Sequence, residues 1–348
     1  MKRNYSLDFS RGLLAFCVAI GHYFYWNSNR SIPLSFILAV DYFFILSGFV
    51  LTSSVFNKKQ FDSFDFAKAR FLRLYPVYIF SILFTLIIIL LVEGSIPTPR
   101  LGDIFRILVI GELLPLVQTS GFNFFEPLGI SWSISAEFWV GIIFFPILYV
   151  LHKKINQLVF PFLMLSILIC LVIVNNYSPE YMNIHYIRFG QLVPFGLIRA
   201  LLGYALGAFS YFIIQYIKND NKVINANVIS IIQLIIVILI IYLYAKNNYI
   251  RDNEYYSVFL FSIMIISLSF DKGIIFKLTN NIVGDWLGRI SYSIYLLHPV
   301  CIVINKKLFS DFFGFTALIT YIISILFISI ITHLFIENKS MLFFKKRV

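Results

Sequence analysis

Leu74-Tyr75-Pro76-Val77-Tyr78-Ile79-Phe80-Ser81-Ile82-Leu83-Phe84-Thr85-Leu86-Ile87-Ile88-Ile89-Leu90-Leu91-Val92 contains no charged side chain. A helix rises about 1.5 Å per residue and the hydrocarbon core of a bilayer is about 30 Å thick, so this run reads as one membrane crossing. The same reading, extended outward, gives ten spans: Leu7 to Trp26, Ser35 to Val55, Leu74 to Val92, Ser131 to Leu151, Gln157 to Val174, Leu192 to Tyr216, Asn227 to Tyr244, Tyr255 to Phe270, Leu287 to Asn305 and Phe313 to Phe335. Ile104 to Gln118 is shorter and carries Arg106 and Glu112, so it is expected to lie in the interface or to re-enter. The fold class that follows is all-α, a polytopic membrane helix bundle of about ten helices.

Composition agrees. Of 348 residues, 59% are hydrophobic and 13% charged, against about 25% charged in a typical soluble domain. The net charge of +11 sits in short basic runs between apolar stretches, which marks topology and not a nucleic-acid surface. With the amino terminus inside, nine of the 28 Lys and Arg fall outside and 28 − 9 = 19 inside, so both termini are expected to be cytoplasmic. Asp8 and Arg11 interrupt the first apolar run, which is therefore a retained helix and not a signal peptide. No linker or low-complexity stretch divides the chain, and residues 1–348 are expected to form a single membrane domain with no appended soluble domain. Cys17, Cys170 and Cys301 stand alone in apolar runs and are packing residues; no metal is expected.

Ionisable groups inside spans cost about 2.5 to 3.5 kcal/mol each, which makes them functional candidates. From the helical rise, His22 lies roughly 6 Å below the outer end of the first span, and Asp41 and Glu137 roughly 9 Å below the outer ends of theirs. Three titratable groups at one depth suggest a site where a carboxylate orients a histidine for general-base removal of a hydroxyl proton. Asp41 reads better as structural, a cap or the partner of an Arg, than as a member of that site. On the opposite side, Arg70-Phe71-Leu72-Arg73 precedes the third span at a spacing that aligns two guanidinium groups if helical, a fork suited to phosphate. His298 either lines the same cavity or bonds a carbonyl freed by Pro299. His152 and His333 read as structural, and Gly48 as a site of close helix packing. The polar groups are expected to meet in one continuous passage.

These residues stand in a familiar order. Ser6-Leu7-Asp8-Phe9-Ser10-Arg11-Gly12-Leu13-Leu14-Ala15 with His22, Tyr42-Phe43-Phe44-Ile45-Leu46-Ser47-Gly48-Phe49, Arg70-Phe71-Leu72-Arg73-Leu74-Tyr75-Pro76, Ser131-Trp132-Ser133-Ile134-Ser135-Ala136-Glu137 and Ser291-Tyr292-Ser293-Ile294-Tyr295-Leu296-Leu297-His298-Pro299 together resemble the acyltransferase-3 family of membrane O-acyltransferases. The resemblance implies a ten-helix bundle in a bacterial inner membrane that moves an acyl group, usually acetyl, from cytoplasmic acetyl-CoA to a hydroxyl of a cell-surface polysaccharide or lipid-linked glycan. It places catalysis on His22 and Glu137 and donor binding on Arg11, Arg70 and Arg73; beyond it, Asp41, Trp132, Ser135 and His298 are candidate substrate contacts. Many relatives carry Glu-Glu where this chain has Glu137-Phe138, so one carboxylate serves here. Acyl-CoA, the glycan and membrane lipid are the expected partners, with no nucleic acid; oligomeric state is left open. Asn123, Phe124, Phe125, Tyr181 and Tyr186 are candidate sugar contacts. A proton-coupled transporter or flippase and a silent assembly partner are the alternatives from other classes.

Overall fold

Thirteen α-helices and one short hairpin make up the described part of the chain. The computed structural model describes residues 3–26, 36, 38–58, 60–96, 98–114, 125–178, 187–190, 192–219, 224–245, 254–308 and 314–345. Of the candidate sugar contacts, Asn123, Phe124, Tyr181 and Tyr186 lie outside these residues.

The long helices are α1 (Tyr5–Trp26), α2 (Ala39–Phe56), α3 (Ser63–Glu93), α5 (Ser131–Lys154), α6 (Val159–Tyr177), α7 (Phe195–Asn219), α8 (Ala226–Ala245), α9 (Glu254–Leu268), α11 (Ile282–Leu308) and α12 (Phe315–Thr332). Each of the ten expected spans falls on one of them. Among the described residues, eight helical segments are long and apolar enough to cross a membrane; α1 carries Asp8 and Arg11, and α9 has 15 residues. The chain is thus an all-α, multi-pass membrane bundle. Strand structure among the described residues is limited to Arg188–Phe189 paired with Val193–Pro194, ahead of α7.

Helix α3 departs from expectation at its start. Asp62 accepts the backbone N–H of Asp65 at 2.8 Å, and this cap starts the helix at Ser63, eleven residues before Leu74. Arg70 and Arg73 therefore lie within the helix, and the one-face alignment that their spacing requires is met. At its far end Gly94 adopts a left-handed conformation (φ 77°) and its N–H closes on Leu90 O at 2.9 Å.

In the described part of segment 104–118 the helix is α4 (Leu101–Leu108), about 12 Å long by the helical rise and too short to span, with Leu101, Phe105 and Leu108 facing out and the Asp103–Arg106 ion pair facing in. Gln118 lies outside the described residues. Burial pushes the Asp103 carboxyl up, but the Arg100 N–H and the Arg106 guanidinium outweigh it and hold it below the usual range. Glu112 follows, buried against the Tyr78 hydroxyl, which donates to it; burial raises its pKa to about 8.

Two helix pairs form the centre, α1 on α11 and α2 on α7. Lipid supplies no hydrophobic drive between helices, so contact depends on small residues that let backbones approach. A Cβ on Gly48 would stand 2.7 Å from Tyr204 O, and one on Gly203 or Gly207 would strike Phe44 or Ile45. A Cβ on Gly12 would stand 2.6 Å from Leu287 Cβ. Helices α3, α5 and α12 pack around these pairs. The last helix widens into a π segment at His333–Glu337 before α13 (Asn338–Lys345).

Candidate functional site

The central helices leave a cavity of roughly 910 Å³, its open mouth included, between α1, α2, α3, α5 and α11. Arg11, Arg70 and Arg73 all line it, together with Glu137, Tyr292 and Glu337. Each is presented by helical periodicity. Ser133, Glu137 and Gly141 form an i, i+4, i+8 stripe on α5, and Gly141 leaves room for Arg70, whose Nε would stand 3.4 Å from a Cβ there.

The guanidinium groups differ in their partners. Arg70 Nη2 donates to Glu137 Oε1 at 2.8 Å and to the Tyr204 hydroxyl at 3.4 Å. The Tyr204 hydroxyl in turn donates to Glu137 O at 2.7 Å, and Ser47 Oγ donates to Glu137 Oε1 at 3.2 Å. Arg11 Nη2 donates to Gly288 O at 2.5 Å and to Asp8 Oδ1 at 3.2 Å. Arg73 is exposed within the cavity and makes no hydrogen bond or ion pair among the described residues. The Nε atoms of Arg11 and Arg70 are also buried without a partner. The lining carries three cations against two carboxylates, Glu137 and Glu337, and the Arg73 guanidinium is open to the space. Such an arrangement binds an anion with several acceptor oxygens.

Glu337 was not singled out in the sequence. The π segment brings His333 Nδ1 to 2.8 Å from Glu337 Oε2, and Ser293 Oγ donates to the same oxygen at 3.3 Å. His333 is thus the carboxylate's support, and π segments recur at functional sites because they rotate side chains off the regular helical face. Glu337 lies two residues beyond the expected end of the last span at Phe335 and is followed by Asn338 and Lys339, so the rule that selected Glu137, a carboxylate within an apolar run, did not reach it.

His22 sits elsewhere. Along α1 it is eleven residues, about 16 Å, from Arg11. Its face stacks on Trp26, with centroids 4.7 Å apart and planes 14° apart. Its Nδ1 lies 2.8 Å from His298 Nε2, and His298 Nδ1 lies 2.7 Å from Tyr295 O. The cavity lining stops at Phe43 and Tyr295, and neither histidine is on it. Tyr295 belongs to both regions: its ring lines the cavity, edge-on to Phe43 at 5.9 Å, and its carbonyl holds His298. The expected continuous passage is therefore closed by two aromatic side chains.

Equal depth did not mean contact. His22 pairs with His298, Glu137 with Arg70, and Asp41 with Arg199, whose nitrogens stand 2.8 and 3.2 Å from its carboxylate oxygens. Glu137 consequently steadies an arginine, in place of the expected orientation of His22. Asp41 is sealed, with its side chain 1% exposed and that of Arg199 0%, and it follows the Arg-partner alternative. Trp132 lies under the Arg199 guanidinium at 5.2 Å, and Ser135 Oγ accepts the Leu113 N–H at 3.1 Å. Neither Trp132 nor Ser135 reaches the cavity, since they flank Ser133 and Ile134 on the opposite face of α5. Arg199 and Tyr204 were not singled out in the sequence, although Arg199 stands inside the expected span Leu192 to Tyr216, where the rule for ionisable groups applies.

Residues 4–334 match the family model described as an acyltransferase domain. The chain is 27% identical to the O-acetyltransferase OatA of Staphylococcus aureus over an alignment of 352 positions, covering 94% of this chain and 56% of that protein. It is 35% identical to the acyltransferase MdmB of Streptomyces mycarofaciens over 122 residues, 34% of this chain and 30% of that one. It is also 43% identical over 86 residues to protein 2 in the picA locus of Rhizobium radiobacter, 23% of this chain and 44% of that one. The chain thus spans about half or less of the length of these relatives. No solved structure matches it.

Proposed function

Since the chain belongs to the acyltransferase-3 family, we propose that it is a membrane O-acyltransferase carrying an acetyl group from cytoplasmic acetyl-CoA to a hydroxyl of a polysaccharide or lipid-linked glycan. The observation that carries this reading is the cavity with three arginines, one of them without a partner among the described residues, ending one aromatic pair away from a histidine dyad. Relatives named O-acetyltransferase and acyltransferase support the class of reaction.

In this reading the cavity opens to the cytoplasm, both termini lie on that side, and the membrane is the bacterial inner membrane. Arg73 holds phosphate oxygens of the donor, and the neighbouring guanidinium groups of Arg11 and Arg70 add positive charge to the same cavity. Glu137 keeps Arg70 in place. The thioester arm follows α1 for about 16 Å to His22, and the Phe43 and Tyr295 rings, in edge-on contact in this structure, swing apart to admit it. His22 takes the proton of the acceptor hydroxyl as its oxygen attacks the thioester carbonyl. The C–O bond forms, the C–S bond breaks, and the thiolate leaves with that proton. An acyl-His22 intermediate is the two-step variant, and trapping labelled enzyme without acceptor separates the two routes.

The test uses membranes carrying wild type or His22→Ala, labelled acetyl-CoA and a panel of polysaccharides. Label is expected in a glycan with wild type and not with His22→Ala at equal protein level. Equal incorporation by both would overturn the assignment of the base.

A further inference from the structure

In α11, Pro299 has no N–H, so the carbonyl of Tyr295, four residues back, loses its helical partner. His298 Nδ1 takes it at 2.7 Å. A carbonyl only accepts, so this Nδ1 carries a proton, and a neutral imidazole then has a lone pair on Nε2. That lone pair faces His22 Nδ1 at 2.8 Å, with ring planes 4° apart and centroids 5.0 Å apart, the edge-to-edge geometry of an in-plane hydrogen bond. His22 Nδ1 must therefore be the donor, which leaves the lone pair of His22 on Nε2.

We propose that His298 is the positioning residue that fixes the tautomer of His22, in a histidine–histidine–carbonyl chain that takes the place of a carboxylate. This deepens the acyl-transfer reading and rests on it. The groups facing the pair are Trp26 on α1 and Tyr295 on α11, with the Ile294 backbone a second hydrogen-bond partner of His298, and neither imidazole makes an ion pair with a carboxylate among the described residues. When His22 Nε2 accepts the hydroxyl proton, the charge formed is met by His298 Nε2 and, beyond it, by the Tyr295 carbonyl. The same Nε2 proton goes to the departing thiolate, so both rings end as they began.

The experiment compares kcat, donor KM and the pH profile of kcat for wild type, His298→Leu, His298→Gln and Pro299→Ala, using full-length protein, acetyl-CoA and a glycan that wild type labels. His298→Leu removes the acceptor, and kcat is expected to fall about 100-fold with donor KM unchanged. Its acidic limb should move to lower pH, because His22 loses the bond that favours its charged form. His298→Gln, whose amide oxygen can accept from Nδ1, should recover at least about tenfold and return the limb toward wild type. Pro299→Ala gives Tyr295 O back its helical N–H and should lower kcat and shift the limb with both imidazoles present, which covers the case of a His298→Leu protein that does not accumulate. A wild-type kcat and limb in His298→Leu or Pro299→Ala would overturn the proposal, as would equal loss in the Leu and Gln variants with no shift of the limb. If His22→Ala itself transfers acetyl normally, the acyl-transfer reading of His22 fails; if it is dead while His298→Leu matches wild type, only the present inference does.

Discussion

Two arginine–carboxylate pairs in this bundle share a distance and differ in everything else. Arg199–Asp41 joins α7 to α2 and Arg70–Glu137 joins α3 to α5, each with a closest contact of 2.8 Å. The first is sealed, with side chains 0% and 1% exposed; in the second Glu137 is 20% exposed and both residues line the cavity. Removing two charges from lipid by pairing them is therefore a structural device in one place and a way of aiming a guanidinium in the other. Arg73, one turn from Arg70, completes the contrast: it has no partner among the described residues and faces the same cavity.

The sharpest way to break the comparison is to orphan one half of each pair. Arg199→Ala leaves a sealed carboxylate, and a loss of about 3–5 kcal/mol is expected, read as failure to accumulate or a collapsed Tm in detergent. Asp41→Leu with Arg199→Met should recover most of that loss, as exchange of a buried pair for apolar side chains often does. Glu137→Gln, whose partner can still reach the cavity, should keep the fold; a collapse equal to that of Arg199→Ala would erase the distinction.

Arg73→Ala touches neither pair. Loss of a charge-assisted bond worth about 1.5–3 kcal/mol should raise donor KM roughly 10- to 100-fold with little change in kcat, because a phosphate clamp binds ground and transition states alike. An unchanged KM would remove Arg73 from the donor site.

Glu112 offers a smaller effect with a sign. Its ordinary pKa of 4.5 rises to about 8 on folding, through burial, against the lowering influence of Tyr78. A raised carboxyl contributes stability that is complete below pH 4.5 and is lost as pH rises through about 8. At about 1.4 kcal/mol per pH unit, wild-type protein should lose on the order of 3 kcal/mol between pH 6 and pH 9, and Glu112→Gln should flatten the dependence. Thermal unfolding at pH 6 and pH 9 reads the difference, and equal slopes in both proteins would refute it. Smallest of all, Gly141→Ala would place a Cβ 3.3 Å from the Tyr204 ring and 3.4 Å from Arg70 Nε. A change of about twofold to fivefold in donor KM is expected, within the range of a modest overpacking.

The one-dimensional pattern of the chain set the places of the ten long apolar helices, the membrane class, the helical pairing of Arg70 with Arg73 and the candidacy of His22. Hydropathy and rise per residue fix where a side chain lies along the bundle axis, and those quantities are local. They say nothing of azimuth. Whether His22 meets Glu137 or His298 depends on how α1 turns against α11, and that angle is set by contacts between residues 276 positions apart and by glycines such as Gly12 and Gly288 that let the two backbones close. The same holds for the π turn that swings Glu337 inward and for the two aromatic rings that part the cavity from the histidines. Depth was written in the sequence; which groups touch at that depth was decided by packing, because in lipid it is the fit of small residues, and not hydrophobicity, that orients one helix against another.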